Sequence, residues 1–164
     1  MQQVASDASA YNGFNLLAGN VSELHWFSNR GTQPEQVTPG VHGLSNHLLD
    51  TPWPKVERGR KRLTELLKSR PPALIENLFA LVAERSIAPD DALPATGVGI
   101  ERERVLSPAF IVSPAYGTRS STVLLIDNNG ELTFAERSFS EGGKPAGAVN
   151  DRFLLRRSTS AAPA

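Results

Sequence analysis

Residues 120–139, SSTVLLIDNNGELTFAERSF, spell an antiparallel hairpin. Val123, Leu124, Leu125 and Ile126 form an apolar, partly β-branched run of the kind that sits in a sheet covered on both faces. This strand, 120–127, is therefore read as the centre of its sheet. Asn128-Asn129-Gly130 follows, and Asn and Gly accept the positive φ of a tight hairpin turn. Glu131 to Phe139 alternates, with Leu132 and Phe134 predicted inward and Thr133 and Ala135 outward.

Further strands are predicted on both sides of this hairpin. Phe14 to Ala18 and Leu24 to Ser28 are joined by a short polar break that favours a second hairpin. Val37 to Leu44 is a third short strand, interrupted at Pro39-Gly40. Val105 to Val112 has strand-like content broken at Ser107-Pro108, and 149–155 reads as a last strand.

Two helices lie between these groups. One spans about residues 55–70, with Val56, Leu63, Leu66 and Leu67 on one face. Gly59 on that face predicts close approach of another element. Thr51 reads as its N-cap and Pro52 as its first helical position, and Pro71-Pro72 ends it. The second helix spans about residues 72–85, with Leu74, Leu78, Leu81 and Val82 inward and Ile75 and Phe79 widening the stripe. Leu63, Leu66, Leu78 and Phe79 are expected to cover one sheet face. Residues 86–99 form a long loop, and 141–147 a Gly-rich one. The chain divides into a frayed N-terminus at 1–10, one domain at 11–155 and a disordered tail at 156–164.

The 164 residues suffice for one domain with a real core. Lys plus Arg and Asp plus Glu both number 17, so net charge gives no reason to expect nucleic acid or an anionic membrane. The chain contains no cysteine, which rules out disulfides, thiolate metal sites and a cysteine nucleophile within it. No apolar run approaches the roughly 20 residues that span a bilayer. Residues 1–10 have neither a basic start nor an apolar stretch of signal-peptide type.

Candidate chemistry is sparse. His25, His42 and His47 allow a three-histidine zinc site only in principle, because no carboxylate spacing supports it, and no metal site is assigned. Lys55, Arg58, Arg60, Lys61, Arg62, Lys68 and Arg70 make the first long helix basic. A solvated face explains this better than a phosphate site, since no aromatic platform accompanies it. Arg119 precedes the apolar strand and reads either as a bidentate carboxylate clamp or as an ion pair with Asp127 or Glu101. Asn46 reads either as an amide that stabilises an oxyanion or as a cap near Asp50. Trp53 reads as a core plug. Ser45, Ser120 and Ser121 lie near His47 or Arg119 in sequence, but no G-x-S-x-G elbow exists.

Four segments carry a resemblance: YNGFNLL at 11–17, SNRG at 28–31, GLSNHLLDTPWPKV at 43–56 and YGTRSSTVLLID at 116–127. In this order they resemble the NRDE family, also called transport-and-Golgi-organisation protein 2-like, over roughly residues 11–155. The Gly43–Val56 stretch is the most distinctive of them, with Gly43 read as a position of unusual backbone conformation. The resemblance implies an α+β fold of N-terminal-nucleophile-hydrolase type, an αββα sandwich of two stacked antiparallel sheets. It makes Asn46 the oxyanion-hole asparagine and Arg119 the active-site arginine of a catalytic set. The family normally opens with Met-Cys followed by Asn-Arg-Asp-Glu, and in related acylases that cysteine is the nucleophile. Here Met1 is followed by Gln2, and neither cysteine nor that motif is present. The chain therefore resembles the C-terminal portion of a family member, with a domain incomplete at its N-terminus and inactive alone. Such a piece is expected to self-associate or to pair with a missing N-terminal segment, with the strand at 14–18 as its new sheet edge. The family's link to haem trafficking implies the alternative of a non-enzymatic carrier for haem or another amphipathic metabolite, although no axial-ligand pattern is evident. The chain is read as cytoplasmic, without a cofactor of its own.

Overall fold

The computed structural model describes residues 1–155, so the tail expected to be disordered lies outside the described residues. Two antiparallel three-stranded sheets and four α-helices make up this part of a mixed α and β chain. In chain order the helices are α1 (Gln2–Ser6), α2 (Pro54–Ser69), α3 (Leu74–Val82) and α4 (Ile100–Leu106). The strands are β1 (Asn15–Gly19), β2 (Leu24–Ser28), β3 (Glu35–Gln36), β4 (Ser120–Ile126), β5 (Glu131–Phe139) and β6 (Pro145–Leu154).

The first sheet has the order β1-β2-β3, with β1 on its edge as the sequence predicts. Trp26, Phe27 and Ser28 of β2 are buried, and Phe14 meets Phe27 edge-to-face with ring centroids 5.8 Å apart. The N-terminal residues, small and polar in sequence, form α1 and a single 3-10 turn at Ala8–Ala10. Ala8 is buried, and the Asn29 side-chain amide donates to the carbonyls of Ala8, Tyr11 and Asn12. The strand predicted at 37–44 is not formed. The last bond to β2 is from the Val37 N–H to the Leu24 carbonyl at 2.8 Å, and Pro39-Gly40 then turns the chain out of the ladder, with Gly40 at φ 159°.

The second sheet has the order β4-β5-β6, so β5 is central and β4, expected at the centre, is an edge. Val123 pairs with Ala135, and both lie under Phe79 of α3 in one buried cluster with Ile75, Leu78, Val82 and Leu125 around it. The predicted inward and outward sides of β5 are thus revised. Ala135 is 1% exposed beneath the helix, because only a small side chain there lets the Phe79 ring approach the sheet. Leu132 is buried too, on the opposite side from Ala135. On that opposite side Leu124, Ile126, Val149 and Phe153 share a face, as their register places them, and all are exposed.

α3 is the helix that packs on β4, and α2 packs on α3. The joint cover by both helices is therefore corrected: Leu63 and Leu66 are half-buried, and Leu67 is 50% exposed. Arg137 from β5 stacks its guanidinium 3.9 Å from the centre of the Phe79 ring and grips Glu76 with both carboxylate oxygens, at 2.6 and 2.7 Å.

The segment 105–112 is not a strand. Residues 100–106 are helical, and 107–112 is irregular apart from one bridge between Val112 and Gly117. Gly99 at φ 87° begins this helix, and Glu101 and Glu103 in its first turn suit the positive end of the helix dipole.

Phe79→Ala should cost about 3–5 kcal/mol in urea unfolding, the range for truncating a buried ring. Leu67→Ala should stay within about 0.5 kcal/mol, as for an exposed position. Equal losses at the two sites would contradict this packing.

Candidate functional site

The distinctive stretch 43–56 is held by one carboxylate. Asp50 has φ 57°, a backbone conformation that non-glycine residues seldom adopt. Its side chain accepts the Gly43 N–H at 2.8 Å and contacts His42 Nδ1 at 2.6 Å, with Arg60 Nε at 3.5 Å. The Asp50 N–H in turn donates to the Gly43 carbonyl at 2.8 Å. His42 Nε2 lies 2.9 Å from the Thr38 carbonyl, and Arg60 donates to the Val41 carbonyl at 3.1 Å. Gly43 is required for space and not for dihedral freedom. A Cβ there would lie 2.7 Å from Val56 Cγ1 and 3.2 Å from Arg60 Cγ. The close approach predicted at Gly59 therefore occurs at Gly43, and Gly59 has open space beside it.

Helix α2 starts two residues later than Thr51-Pro52 suggests. Trp53 occupies the N-cap and Pro54 the first turn, without a side-chain cap. The Thr51 hydroxyl instead donates to the Leu48 carbonyl and meets His47 Nδ1 at 2.8 Å. Trp53 is half-buried and lies 5.5 Å from the His47 ring, and it walls a cavity instead of plugging a core.

That cavity, about 220 Å³, lies between the N-terminal turn of α2 and the 94–107 segment. Asn46, Trp53, Lys55, Thr96, Glu103 and Leu106 are among its lining residues. Lys55 Nζ donates to the Leu106 carbonyl at 2.8 Å. Burial lowers the Lys55 pKa from its ordinary value, and the Glu103 charge partly opposes that shift. Glu103 is 6% exposed, and its Oε1 accepts the Thr96 N–H at 2.8 Å together with the Thr96 hydroxyl. Asn46 also lines an open cleft of about 910 Å³, shared with Asn15, Ser28, Arg30, Ser45 and His47. Asn15 ties this region to the first sheet. Its amide accepts from Trp26 Nε1 at 2.9 Å and donates to the His47 carbonyl at 3.0 Å.

Arg119 is exposed just before β4 and lines neither the cavity nor the cleft. Among the described residues no hydrogen bond or ion pair holds its guanidinium, although its carbonyl accepts the Phe139 N–H at 2.8 Å. The two ion-pair partners considered for it are engaged elsewhere. Asp127 accepts the Asn129 and Glu131 N–H groups of the hairpin turn, and Glu101 pairs with Arg104. Asn46 does not cap α2, and Asp50 serves the knot described above.

The basic residues of α2 divide. Lys55, Arg58 and Arg60 turn to partners: Leu106, Glu84 with the Ser86 carbonyl, and Val41 with Asp50. They fasten loops to the helix, so the solvated-face reading holds for only part of it. The histidines are likewise separate, with His25 beside Glu23, His42 on Asp50 and His47 on Thr51. Sequence reasoning missed Asn15, Lys55 and Glu103. Lys55 is one of a run of basic residues that nothing in the sequence separates, and Glu103 falls between the segments to which the sequence assigns a structure.

The family model described as Transport and Golgi organisation 2 matches residues 1–141. The chain belongs to this family. Similar relatives are the Transport and Golgi organization protein 2 homolog of Bos taurus, 36% identical over 151 residues, and that of Homo sapiens, 35% identical over 156. These alignments cover 84% and 86% of this chain and 55% and 56% of the relatives. The Transport and Golgi organization protein 2 of Drosophila melanogaster is 27% identical over 165 residues, with 91% of this chain and 56% of the relative covered. The chain thus spans about half the length of the curated relatives it matches. The four segments at 11–17, 28–31, 43–56 and 116–127 all lie within the matched residues. Among the described residues no helix is long and apolar enough to cross a membrane.

The Asp50 knot gives stability a pH dependence. Its hydrogen bond holds the His42 imidazolium above the ordinary 6.5, against a lesser opposing effect of burial. Burial pushes Asp50 upward most strongly, but the Gly43 N–H, His42 and the Arg60 charge together bring it below the ordinary 3.8. The His42 contribution is complete below pH 6.5 and is lost as pH rises through the raised folded-state value; the Asp50 contribution holds above 3.8 and is lost as pH falls through the lowered one. Thermal melting should therefore weaken as pH rises above 6.5, and His42→Gln should flatten that slope. An unchanged slope in the variant would remove His42 as its source.

Proposed function

We propose that this family member supplies the binding side of an amide-hydrolase-like domain in the cytoplasm and holds a small molecule without cleaving it on its own. The observation that carries this reading is the position of Asn46. Its exposed side chain borders both the cavity and the cleft, and no hydrogen bond among the described residues occupies its amide. A side-chain amide so placed has the chemistry to donate to a developing oxyanion. Arg119 borders neither space, and its exposed guanidinium, without a side-chain partner among the described residues, has the chemistry of a carboxylate clamp at a separate place on the surface. No cysteine exists on the chain to act as the nucleophile. An αββα sandwich is built on antiparallel sheets, and the chain has two of them. The exposed face of Leu124, Ile126, Val149 and Phe153 is then a surface on which the rest of such a domain would pack.

Incubated alone with acyl-amide substrates, the chain should show no turnover. Hydrolysis that disappears in Ser45→Ala or Ser120→Ala would overturn this reading.

A second reading is a carrier for haem or another amphipathic metabolite, and the open cleft favours it. His47 engages Thr51 through Nδ1, so Nε2 is left among the described residues for an iron ligand. Arg30 on the same cleft supplies a partner for a carboxylate. Added haem should then produce a shifted Soret band that His47→Ala abolishes. A band unchanged by that substitution would dismiss His47 as a ligand.

A further inference from the structure

The cavity beside α2 holds two opposite charges that do not touch. Lys55 gives one N–H to the Leu106 carbonyl, and an ammonium carries three donors, so two remain. Glu103 uses Oε1 for Thr96, and Oε2 has no partner among the described residues although the residue is 6% exposed. Among the described residues each bonds to a different partner, Lys55 to Leu106 and Glu103 to Thr96, yet both border the same space. Oε2 is reached by solvent, since among the described residues Arg58 Nε alone is a buried side-chain atom without a partner, so a ligand entering the cavity takes the place of water on both charges.

The remaining wall is apolar and defines the shape of what fits. Trp53, Pro94, Val98 and Leu106 face the space. At about 220 Å³ the cavity falls below the roughly 300–1,000 Å³ of sites for drug-sized ligands. The occupant must therefore be small, carry one positive and one negative group, and present an apolar remainder.

We propose that this cavity binds a free apolar α-amino acid, its carboxylate on Lys55 Nζ and its ammonium on Glu103 Oε2, with the side chain against Trp53 and Leu106. This goes beyond the amide-hydrolase reading and does not depend on it, since the charged groups concerned are neither Asn46 nor Arg119. The pairing completes both charges at once. Each half is a charge-assisted hydrogen bond made out of water, where such bonds are strongest. Selectivity follows from the same arrangement. A ligand lacking either charge leaves one protein group buried and unmatched, which is penalised more heavily than a missing surface contact.

Calorimetric titration of the whole chain with leucine, leucinamide and N-acetylleucine tests this. Leucine should saturate one site, and each masked analogue should bind at least about tenfold more weakly, a difference of about 1.4 kcal/mol. Lys55→Met should weaken leucine by a similar factor while leaving leucinamide, which lacks the carboxylate, unchanged. Glu103→Gln should do the converse, sparing N-acetylleucine, and its folding is checked by circular dichroism. If Glu103→Gln does not fold, the wild-type ligand series and Lys55→Met still decide the matter. Absence of leucine binding up to roughly 10 mM, equal affinity for all three compounds, or leucine binding unaffected by Lys55→Met would each overturn the proposal. Because no step of this titration measures hydrolysis, its failure leaves the hydrolase-like reading standing, and the reverse also holds.

Discussion

Asp50 governs how the rest of the candidate site is assembled. One carboxylate closes the loop on itself through Gly43, ties it to His42 and draws in Arg60 of α2. The residue adopts φ 57° to do so, a strained choice for a side chain other than glycine that persists because several bonds fix it at once. Gly43 then lies so close to Val56 that no Cβ fits between them. With loop and helix locked together, Asn46 and Trp53 fall on one side of the α2 N-terminus, and Lys55 follows from the first turn.

The second sheet solves a different packing problem. It buries one face under a short helix by placing a small residue, Ala135, under a large one, Phe79. Arg137 extends this contact outward by stacking on the ring and gripping Glu76 at the rim. The opposite face remains apolar and exposed at Leu124, Ile126, Val149 and Phe153. On that face Leu132 is the buried residue, so burial there is confined to the middle strand.

Around α2 and the loops beside it runs a set of single long-range bonds. Lys55 reaches the Leu106 carbonyl, Arg58 reaches Glu84 and Ser86, and Phe110 donates to the Glu84 carbonyl at 2.8 Å. Basic side chains that bond to carbonyl oxygens act here as fasteners of loops. This use requires them to give up water, and the lowered pKa of Lys55 is the electrostatic record of that loss.

The hairpin at 120–139 was legible because its turn and its apolar run are local: Asn128-Asn129-Gly130 bends, and the flanking residues pair in register. α2 and α3 were legible for the same reason, through their apolar spacing and the prolines at 71–72. The family resemblance, carried by short ordered motifs, was likewise within the sequence's reach. Which face of β5 turns inward and that β4 is an edge were decided by contacts far apart in the chain. An alternating strand offers two faces of similar apolarity, and only the helix above it chooses between them. Lys55 and Glu103, 48 positions apart by number (103 minus 55), border one cavity because the fold returns the chain there. No local pattern encodes such a meeting, since charge pairing across space has no period in sequence.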